Sequence, residues 1–325
     1  MLLARRTPVM AISRRFMASL AAPLALLGSF SMDAAVVQAE DDDAPSSVAA
    51  SDAKAPPHIV FVTGDDEYGS ELSMPMLARI LETHHGMKTT VLYAVDDAGQ
   101  RDRHGNSIPG LKALRSADAA VFFMRFRKLP QEQLDEIIRY ADSGQPMLGL
   151  RTTSHAFKYD GPPNDQWNDG FGRDYFGQKW ISHYGHENSS NVHLAEAAAG
   201  HPAARGLEPS VWLHSWLYVM NDGELTIPDD CTVLQVGDAV RGTQPGGELY
   251  GHRQPVSWTR ELPRPDGGKQ RIFYTSLGHP RDFNYETPRR LLINAIYWAI
   301  GREADIPPEG TNVTIVGQYD PPDPH

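Results

Sequence analysis

Cysteine is almost absent from this chain of 325 residues, which contains only Cys231. With one thiol no disulfide can form within the chain, so we expect a core that is stable without such cross-links. Positive charge is also scarce, because 30 Lys and Arg stand against 41 Asp and Glu, for a net charge of −11. This balance argues against nucleic acid and anionic membranes as partners.

A long apolar run is missing from the N-terminal region. The apolar residues 16–30 are too few for a comfortable membrane span, and Pro23 interrupts them. Arginines precede this run and small residues follow it, which predicts a signal peptide over residues 1–39. Arg14 and Arg15 hint at a twin-arginine signal. We therefore expect an exported protein, periplasmic or secreted, with no membrane span after cleavage; an uncleaved anchor is the alternative.

Cleavage would make the chain more acidic. The segment carries four Arg and one Asp, so its removal leaves a net charge of about −14. Residues 40–56 are acidic and then rich in Ala, Ser and Pro, which predicts a disordered linker. One domain is expected over residues 57–305, followed by a Pro-rich tail, 306–325, with one candidate strand at 312–316.

Short apolar runs alternate with amphipathic segments along the domain. This alternation predicts an α/β fold, a doubly wound and mostly parallel sheet with helices on both faces. Residues 161–200 are rich in Gly, Asn, Trp and His, which indicates long loops over the strand carboxyl ends. Strands are expected at 58–64, 89–94, 119–124, 147–150, 190–194, 232–236, 254–259 and 271–277, and the clearest helices at 131–143 and 289–300, with another ending at His84-His85-Gly86.

The stretch from Met147 to Phe157 is the centre of the predicted site. An apolar strand, Met147–Leu150, ends abruptly in Arg151-Thr152-Thr153-Ser154-His155. This pattern predicts a sharp strand-to-helix turn like the nucleophile elbow of hydrolases, at the sheet edge where ligands bind. Arginine is a poor nucleophile but a good clamp for an anion or oxygen, so ordinary acyl transfer is not expected.

Charged residues follow two other strands. Glu67 comes after the first strand, and Arg125 and Arg127 end a neighbouring one, so a Glu–Arg pair across the site floor is expected. The pair could be a structural salt bridge or part of the function. Asp66 is interpreted as a cap of the following helix.

Histidines form the other candidate group. His183 and His186 are metal-ligand types at close spacing, and three imidazoles with one of His155, His214 or His279 would suit zinc. The alternative is that they bond substrate or neighbouring backbone.

A further histidine, His279, follows a strand and could be a general base oriented by Asp282, or a structural loop residue. Tryptophans in the loop region, including Trp180, suit sugar rings but are more often core residues.

Several motifs together resemble the ThuA-like (trehalose-utilisation) family of the class I glutamine amidotransferase-like superfamily. They are Gly64-Asp65-Asp66-Glu67-Tyr68-Gly69-Ser70-Glu71, Arg125-Phe126-Arg127-Lys128-Leu129-Pro130, Gly149-Leu150-Arg151-Thr152-Thr153-Ser154-His155 and Trp180-Ile181-Ser182-His183-Tyr184-Gly185-His186. The resemblance covers nearly all of residues 57–303. It implies a flavodoxin-like fold and a role in carbohydrate metabolism.

Two departures bear on the mechanism. The amidotransferase elbow carries a nucleophilic Cys and many ThuA-like proteins have His there, whereas this chain has Arg151. The amidotransferase His-Pro-Glu is replaced by His279-Pro280-Arg281, which loses the acid unless Asp282 substitutes for it. Glutamine hydrolysis is therefore rejected.

The resulting hypothesis is an exported protein that binds, and as a hydrolase, lyase or isomerase transforms, a small carbohydrate. The alternatives are a non-catalytic carbohydrate-binding or scaffold module, and a zinc-dependent hydrolase using His183 and His186. Zinc is the one cofactor suggested, and a homo-oligomer stays open. The expected catalytic residues are Arg151, His155, His183 and His279, and the expected substrate-binding residues are Glu67, Arg125, Arg127, Trp180, His186 and Asp282.

Overall fold

The computed structural model describes residues 55–324, which include nine strands that form one mixed sheet. The predicted signal peptide and all but the end of the predicted linker lie outside the described residues. No helix among residues 55–324 has the length and apolar character needed to cross a membrane.

One half of the sheet is parallel and follows the predicted pattern. Its strand order is β2-β1-β3-β4-β11. β1, β3 and β4 are buried along their whole length, as expected for strands covered on both faces. The bounds are β1 His58–Gly64, β2 Lys88–Leu92, β3 Ala119–Met124, β4 Met147–Leu150 and β11 Lys269–Thr275.

The other half is antiparallel and extends the sheet in the order β10-β9-β6-β7. A separate pair, β5 and β8, lies beside it in the loop region. The bounds are β5 Ser182–His183, β6 Asn188–Leu194, β7 Ser210–Leu213, β8 Tyr218–Val219, β9 Cys231–Arg241 and β10 Leu249–Pro263. The α/β fold is thus confirmed, with a larger antiparallel part than the alternation of elements indicates.

Helices cover the parallel half. α1, Ser70–His85, and α4, Glu286–Ala299, contact each other through the ring of His85 and the hydroxyl of Tyr297. The predicted end of α1 is confirmed, because Gly86 adopts a left-handed conformation (φ 60°) that glycine accommodates without strain.

Helix α2, Gln131–Ser143, packs against β3, and the short helix α3, Gln166–Gly170, leads into a turn that packs against β4. In α2, Tyr140 packs 6.4 Å from the ring of Phe122 on β3. After α3 the chain turns so that Phe176 packs over Gly149 of β4, where a β-carbon would lie 2.6 Å from the Phe176 ring.

The segment 306–324 packs along α1 and α4. The predicted strand at 312–316 does not form. Carbonyls of this segment accept hydrogen bonds from side chains instead: from His85 to Asn312 (2.8 Å) and from Arg289 to Val313 (2.8 Å). Because its carbonyls are taken by side chains, the segment has no need of a partner strand.

Candidate functional site

The elbow at the end of β4 has the backbone geometry of a strained turn. Arg151 has a positive φ of 42°, which is uncommon for a residue with a side chain. The hydroxyl of Tyr274 donates to the Arg151 carbonyl at 2.5 Å, and Gly278 lies so close that a β-carbon there would be 3.1 Å from that of Arg151. The sharp turn predicted from the sequence is therefore present, with Arg151 at its apex.

The guanidinium of Arg151 is fully buried. It donates to the carbonyls of Ser276 (2.6 Å) and Trp216 (3.3 Å), and to the Tyr68 hydroxyl (3.2 Å). Its Nε has no hydrogen-bond partner in the part of the chain that the structure describes. The sequence suggested that Arg151 clamps a substrate oxygen directly, but a side chain without exposed surface acts on a ligand only through the groups around it.

Aromatic rings surround this cation. Tyr68, Tyr218 and Trp216 have their ring centres 4.3, 4.4 and 5.0 Å from the guanidinium carbon. Such contacts stabilise a desolvated cation through the negative face of each ring. The elbow thus holds the positive charge of Arg151 in a fixed position that is enclosed by three aromatic rings.

The predicted Glu–Arg pair is formed. Nε of Arg125 lies 2.9 Å from a Glu67 carboxylate oxygen, and the Tyr68 hydroxyl donates to the other oxygen at 3.1 Å. Asp66 accepts from Arg125 (2.9 Å) and Arg127 (3.1 Å), so it is an ion-pair residue, and its interpretation as a helix cap is wrong.

Arg127 differs from the other predicted binding residues because its side chain mainly contacts backbone carbonyls of the chain. It is only 3% exposed. Its remaining donors bind the carbonyls of Arg125 (2.7 Å), Arg103 (2.9 Å) and Gly105 (2.7 Å). Four of its five N–H donors are occupied by the chain, so Arg127 mainly holds the loop around residues 103–105 in place.

Sequence reasoning missed Asp65 as a functional candidate. Its buried carboxylate accepts from the Thr152 hydroxyl at 3.0 Å and from the backbone N–H of Glu67 and Tyr68. It thereby joins the end of β1 to the elbow. Burial raises its pKa to about 7. Its position directly after a buried strand was the available signal.

The predicted histidines are brought together in a continuous row of rings. Neighbouring centroids are 4.6–6.2 Å apart, within the range of aromatic contacts. The order along the row is Phe126, His155, Trp180, His183, His186, Trp216, His279 and His214. The row combines five histidines from four separate chain segments, a convergence that no spacing in the sequence indicates.

Hydrogen bonds define the tautomers of two of these rings. The backbone N–H of Arg281 donates to Nδ1 of His279 (3.2 Å), and that of Gly185 donates to Nδ1 of His183 (3.0 Å). Burial, helped by the charge of Arg151, lowers the pKa of His279 to about 3; burial and neighbouring His186 lower the pKa of His183. A neutral imidazole that accepts at Nδ1 carries its proton on Nε2. Both rings are therefore hydrogen-bond donors at Nε2.

His155 and His186 differ in exposure to a ligand. His155 is buried between the rings of Phe126 and Trp180, and burial lowers its pKa well below the usual value. The ring of His186 forms no hydrogen bond with the residues described. The ring of His214 likewise forms none with the described residues, so both imidazoles have two nitrogens open to a ligand in the cavity.

Asp282 does not orient His279 as the sequence suggested. Its buried carboxylate accepts from the backbone N–H of His214 (2.8 Å) and from the N–H and hydroxyl of Ser215. The Ser215 hydroxyl in turn accepts from the N–H of His279 at 3.0 Å. Asp282 thus positions the 214–216 loop against the loop of His279, rather than binding substrate.

A cavity of about 210 Å³ opens on the row. Its walls include His186, His214, Trp216, His279 and Arg281. The Trp216 indole N–H is buried and has no hydrogen-bond partner within the described residues. An apolar ring beside convergent donors is typical of a small-molecule site.

A larger cavity, about 480 Å³, lies elsewhere, between the end of β1, the start of α1 and the loop at residues 101–104. Asp65 lines this larger cavity, but none of the residues predicted from the sequence for the site does. The smaller cavity is therefore the candidate site.

The zinc alternative finds no ligand set in the structure. Among residues 55–324, no group of three or more His, Cys, Asp or Glu side chains is arranged to hold a metal. His183 and His186 are adjacent, but Nδ1 of His183 is already taken by a backbone N–H. The described residues do not fit a resident metal.

A mixed sheet whose parallel half carries a strand-to-helix elbow at its carboxyl edge, with Arg151 at the apex, defines an α/β protein that lacks a nucleophile at the elbow. Residues 63–299 match the model of the ThuA family, described as trehalose utilisation. The chain belongs to the ThuA family, and the resemblance seen in its motifs is confirmed.

A solved structure shows the same fold. A ThuA-like protein from Bacteroides uniformis is similar over 76% of this chain and 93% of its own, at 16% identity and a TM-score of 0.50. A ThuA-like protein from Parabacteroides merdae has 19% identity over 75% of this chain and 90% of its own, with a TM-score of 0.47. No curated protein sequence matches the chain.

Proposed function

We propose that this ThuA-family protein binds and transforms a sugar or sugar derivative in the 210 Å³ cavity. The observation that carries the proposal is the presence of the donor ring of His279, the free ring of His186 and the indole of Trp216 on one cavity. Sugars present apolar ring faces and many hydroxyls, which such a combination suits. The family's description as trehalose utilisation supports the same substrate class.

The roles follow from the hydrogen bonds. The Nε2–H group of His279 donates to a substrate oxygen, and His186 exchanges a proton with the substrate. His183 does not line the cavity and acts through the ring of His186, whose centroid is 4.6 Å away. Arg151 lies behind Trp216 as a fixed positive charge and stabilises negative charge that develops in the cavity. Arg125 and Glu67 do not line the cavity and are connected to Arg151 through the Tyr68 hydroxyl.

The test is ligand binding followed by turnover. Purified protein is titrated by calorimetry with monosaccharides and disaccharides, and mixtures with binders are followed by NMR. We expect His186→Ala to bind but lose at least about a hundredfold in turnover, because it lacks the proton carrier. His193→Gln on β6, outside the cavity, is the matched control. Absence of binding by every sugar would contradict the proposal.

A non-catalytic carbohydrate-binding module is the second candidate. It is favoured by the replacement of the elbow nucleophile with the buried Arg151 and by the fixed donor state of two rings. Binding without turnover, equally strong in the wild type and in His186→Ala, would decide for it.

Export completes the proposal, since the N-terminal pattern is that of a cleaved signal. N-terminal sequencing of protein from the periplasm or medium of a bacterial host is expected to begin near residue 40. Retention in the cytoplasm with an intact N-terminus would contradict export.

A further inference from the structure

The segment 319–324 reaches the rim of the candidate cavity. The Tyr319 hydroxyl donates to the carbonyl of Pro280 at 2.8 Å and anchors the segment beside the His279 loop. Asp323 follows, between Pro322 and Pro324. A residue held between two prolines has few backbone conformations to lose when it is fixed in place.

Asp323 pairs with Arg281 at that rim. The Asp323 carboxylate lies 3.0 Å from Nε of Arg281, and both residues line the cavity. Their side chains are 61% and 43% exposed, so water screens the pair and it is weak. A ligand can therefore displace Asp323 with little loss of stability.

The charged residues that line the cavity favour an anionic ligand. Asp323 is the only acidic residue among those that line it, whereas Arg281 is a cation and the imidazoles of His186, His214 and His279 supply N–H groups. When Asp323 moves away, the wall offers a guanidinium and several donors and no carboxylate. The planar guanidinium of arginine suits a carboxylate, which it can bind through two N–H groups.

We propose that the cavity takes a sugar that carries a carboxylate, a uronic acid, and that this carboxylate replaces that of Asp323 on Arg281. Asp323 is then an internal competitor that occupies the anion position when no substrate is bound. This inference rests on the proposed function, because it names the substrate class of the same cavity.

The test compares acidic and neutral sugars of the same ring. Glucuronate and galacturonate, with glucose and galactose as neutral partners and glucose 6-phosphate as a second anion, are titrated by calorimetry. We expect the uronates to bind more tightly than their neutral partners, and Arg281→Gln to weaken uronate binding at least about tenfold. The backbone N–H of Arg281 that fixes His279 is unchanged in this variant.

Removal of the Asp323 carboxylate is a more specific test, because it changes only the group that competes with the ligand for Arg281. We expect Asp323→Asn to tighten uronate binding about three- to fivefold relative to any change in glucose binding. Asp320→Asn removes the same charge from the same segment outside the cavity and is the matched control. In the Arg281→Gln background the effect of Asp323→Asn should disappear.

The outcomes separate this inference from the proposed function. Neutral sugars that bind as well as or better than uronates, or an Asp323→Asn variant that matches Asp320→Asn, would overturn the acidic substrate and leave the sugar site standing. Tight binding of glucose 6-phosphate alone would overturn the carboxylate. Failure of every sugar to bind would remove the proposed function itself.

Discussion

Nη2 of Arg151 donates at 3.2 Å to the hydroxyl of Tyr68, whose ring centre lies 4.3 Å from the guanidinium carbon. The same hydroxyl donates to Glu67, so the relationship connects a fully buried cation to a carboxylate on the site floor. Arg151 is thereby coupled to the site through the Tyr68 hydroxyl, although its own side chain contacts no ligand.

Replacement of this cation should raise the pKa of His279. Arg151→Met keeps much of the side-chain volume and removes the positive charge that, after burial, contributes most to the low pKa of His279. Protonation of the imidazole then becomes less unfavourable, so its pKa should rise from about 3. NMR titration of the His279 ring protons measures this shift.

Arg289→Met is the control for loss of a buried arginine. Arg289 is 4% exposed and binds carbonyls between α4 and the 306–324 segment. An equal rise of the His279 pKa in both variants would show that general loosening, rather than the Arg151 charge, is the cause.

Acid should destabilise the protein partly through His279. Its pKa is about 3 in the folded chain and 6.5 ordinarily, so between these values the unfolded chain takes up a proton that the folded chain does not. The free energy of unfolding therefore falls as pH falls from 6.5 towards 3, by up to about 1.4 kcal/mol per pH unit from this group.

Urea unfolding at several pH values tests that slope. His279→Gln should show a shallower decline than the wild type by up to about 1.4 kcal/mol per pH unit, because it lacks the titrating ring. His193→Gln is the matched histidine outside the cavity. Parallel curves for the wild type and His279→Gln would contradict the assignment.

The donor role of His279 predicts a specific pattern of rescue. Glutamine retains an N–H donor and alanine does not, so His279→Gln should keep sugar binding within about tenfold of wild type and His279→Ala should lose more. If both variants lose turnover equally while binding is unaffected, His279 is a general base and the tautomer assignment is wrong.

Packing against β4 should be sensitive to one methyl group. A β-carbon at Gly149 would lie 2.6 Å from the ring of Phe176, so Gly149→Ala should destabilise by about 1–3 kcal/mol in urea unfolding. Gly161→Ala is the control, because no heavy atom lies within 4 Å of a β-carbon there. Equal stability of the two variants would contradict the close packing.

The parallel half of the fold was predictable because its strands are continuous apolar runs. β1, β3 and β4 have the bounds expected from the sequence. The antiparallel half was less so: β7 is a four-residue strand that is only partly buried at the sheet edge, and β10 is much longer than its apolar part. An apolar run reveals a strand only when that strand is buried. Strands at the sheet edge or beyond the helices are only partly buried, so their composition does not mark them.

The candidate site was predictable in its residue types rather than in its contacts. The sequence indicates His183, His186 and His279, but not that Trp216 lies between the last two. Asp282 was assigned to a neighbouring histidine because it is close in sequence, whereas its bonds go to residues 214 and 215. Such contacts are set by how the loops converge.

The cavity takes its lining from loops of two separate parts of the sheet. His279 follows β11, the last parallel strand, whereas His186 and His214 belong to loops next to β6 and β7 at the far end. The hydrogen bonds of the elbow to Asp65 and Tyr274 lie within the parallel half. The loop after β7 is hydrogen-bonded to the elbow, because Arg151 donates to the carbonyl of Trp216. Exchange of the loop before β6 can therefore change ligand preference while the elbow is inherited intact.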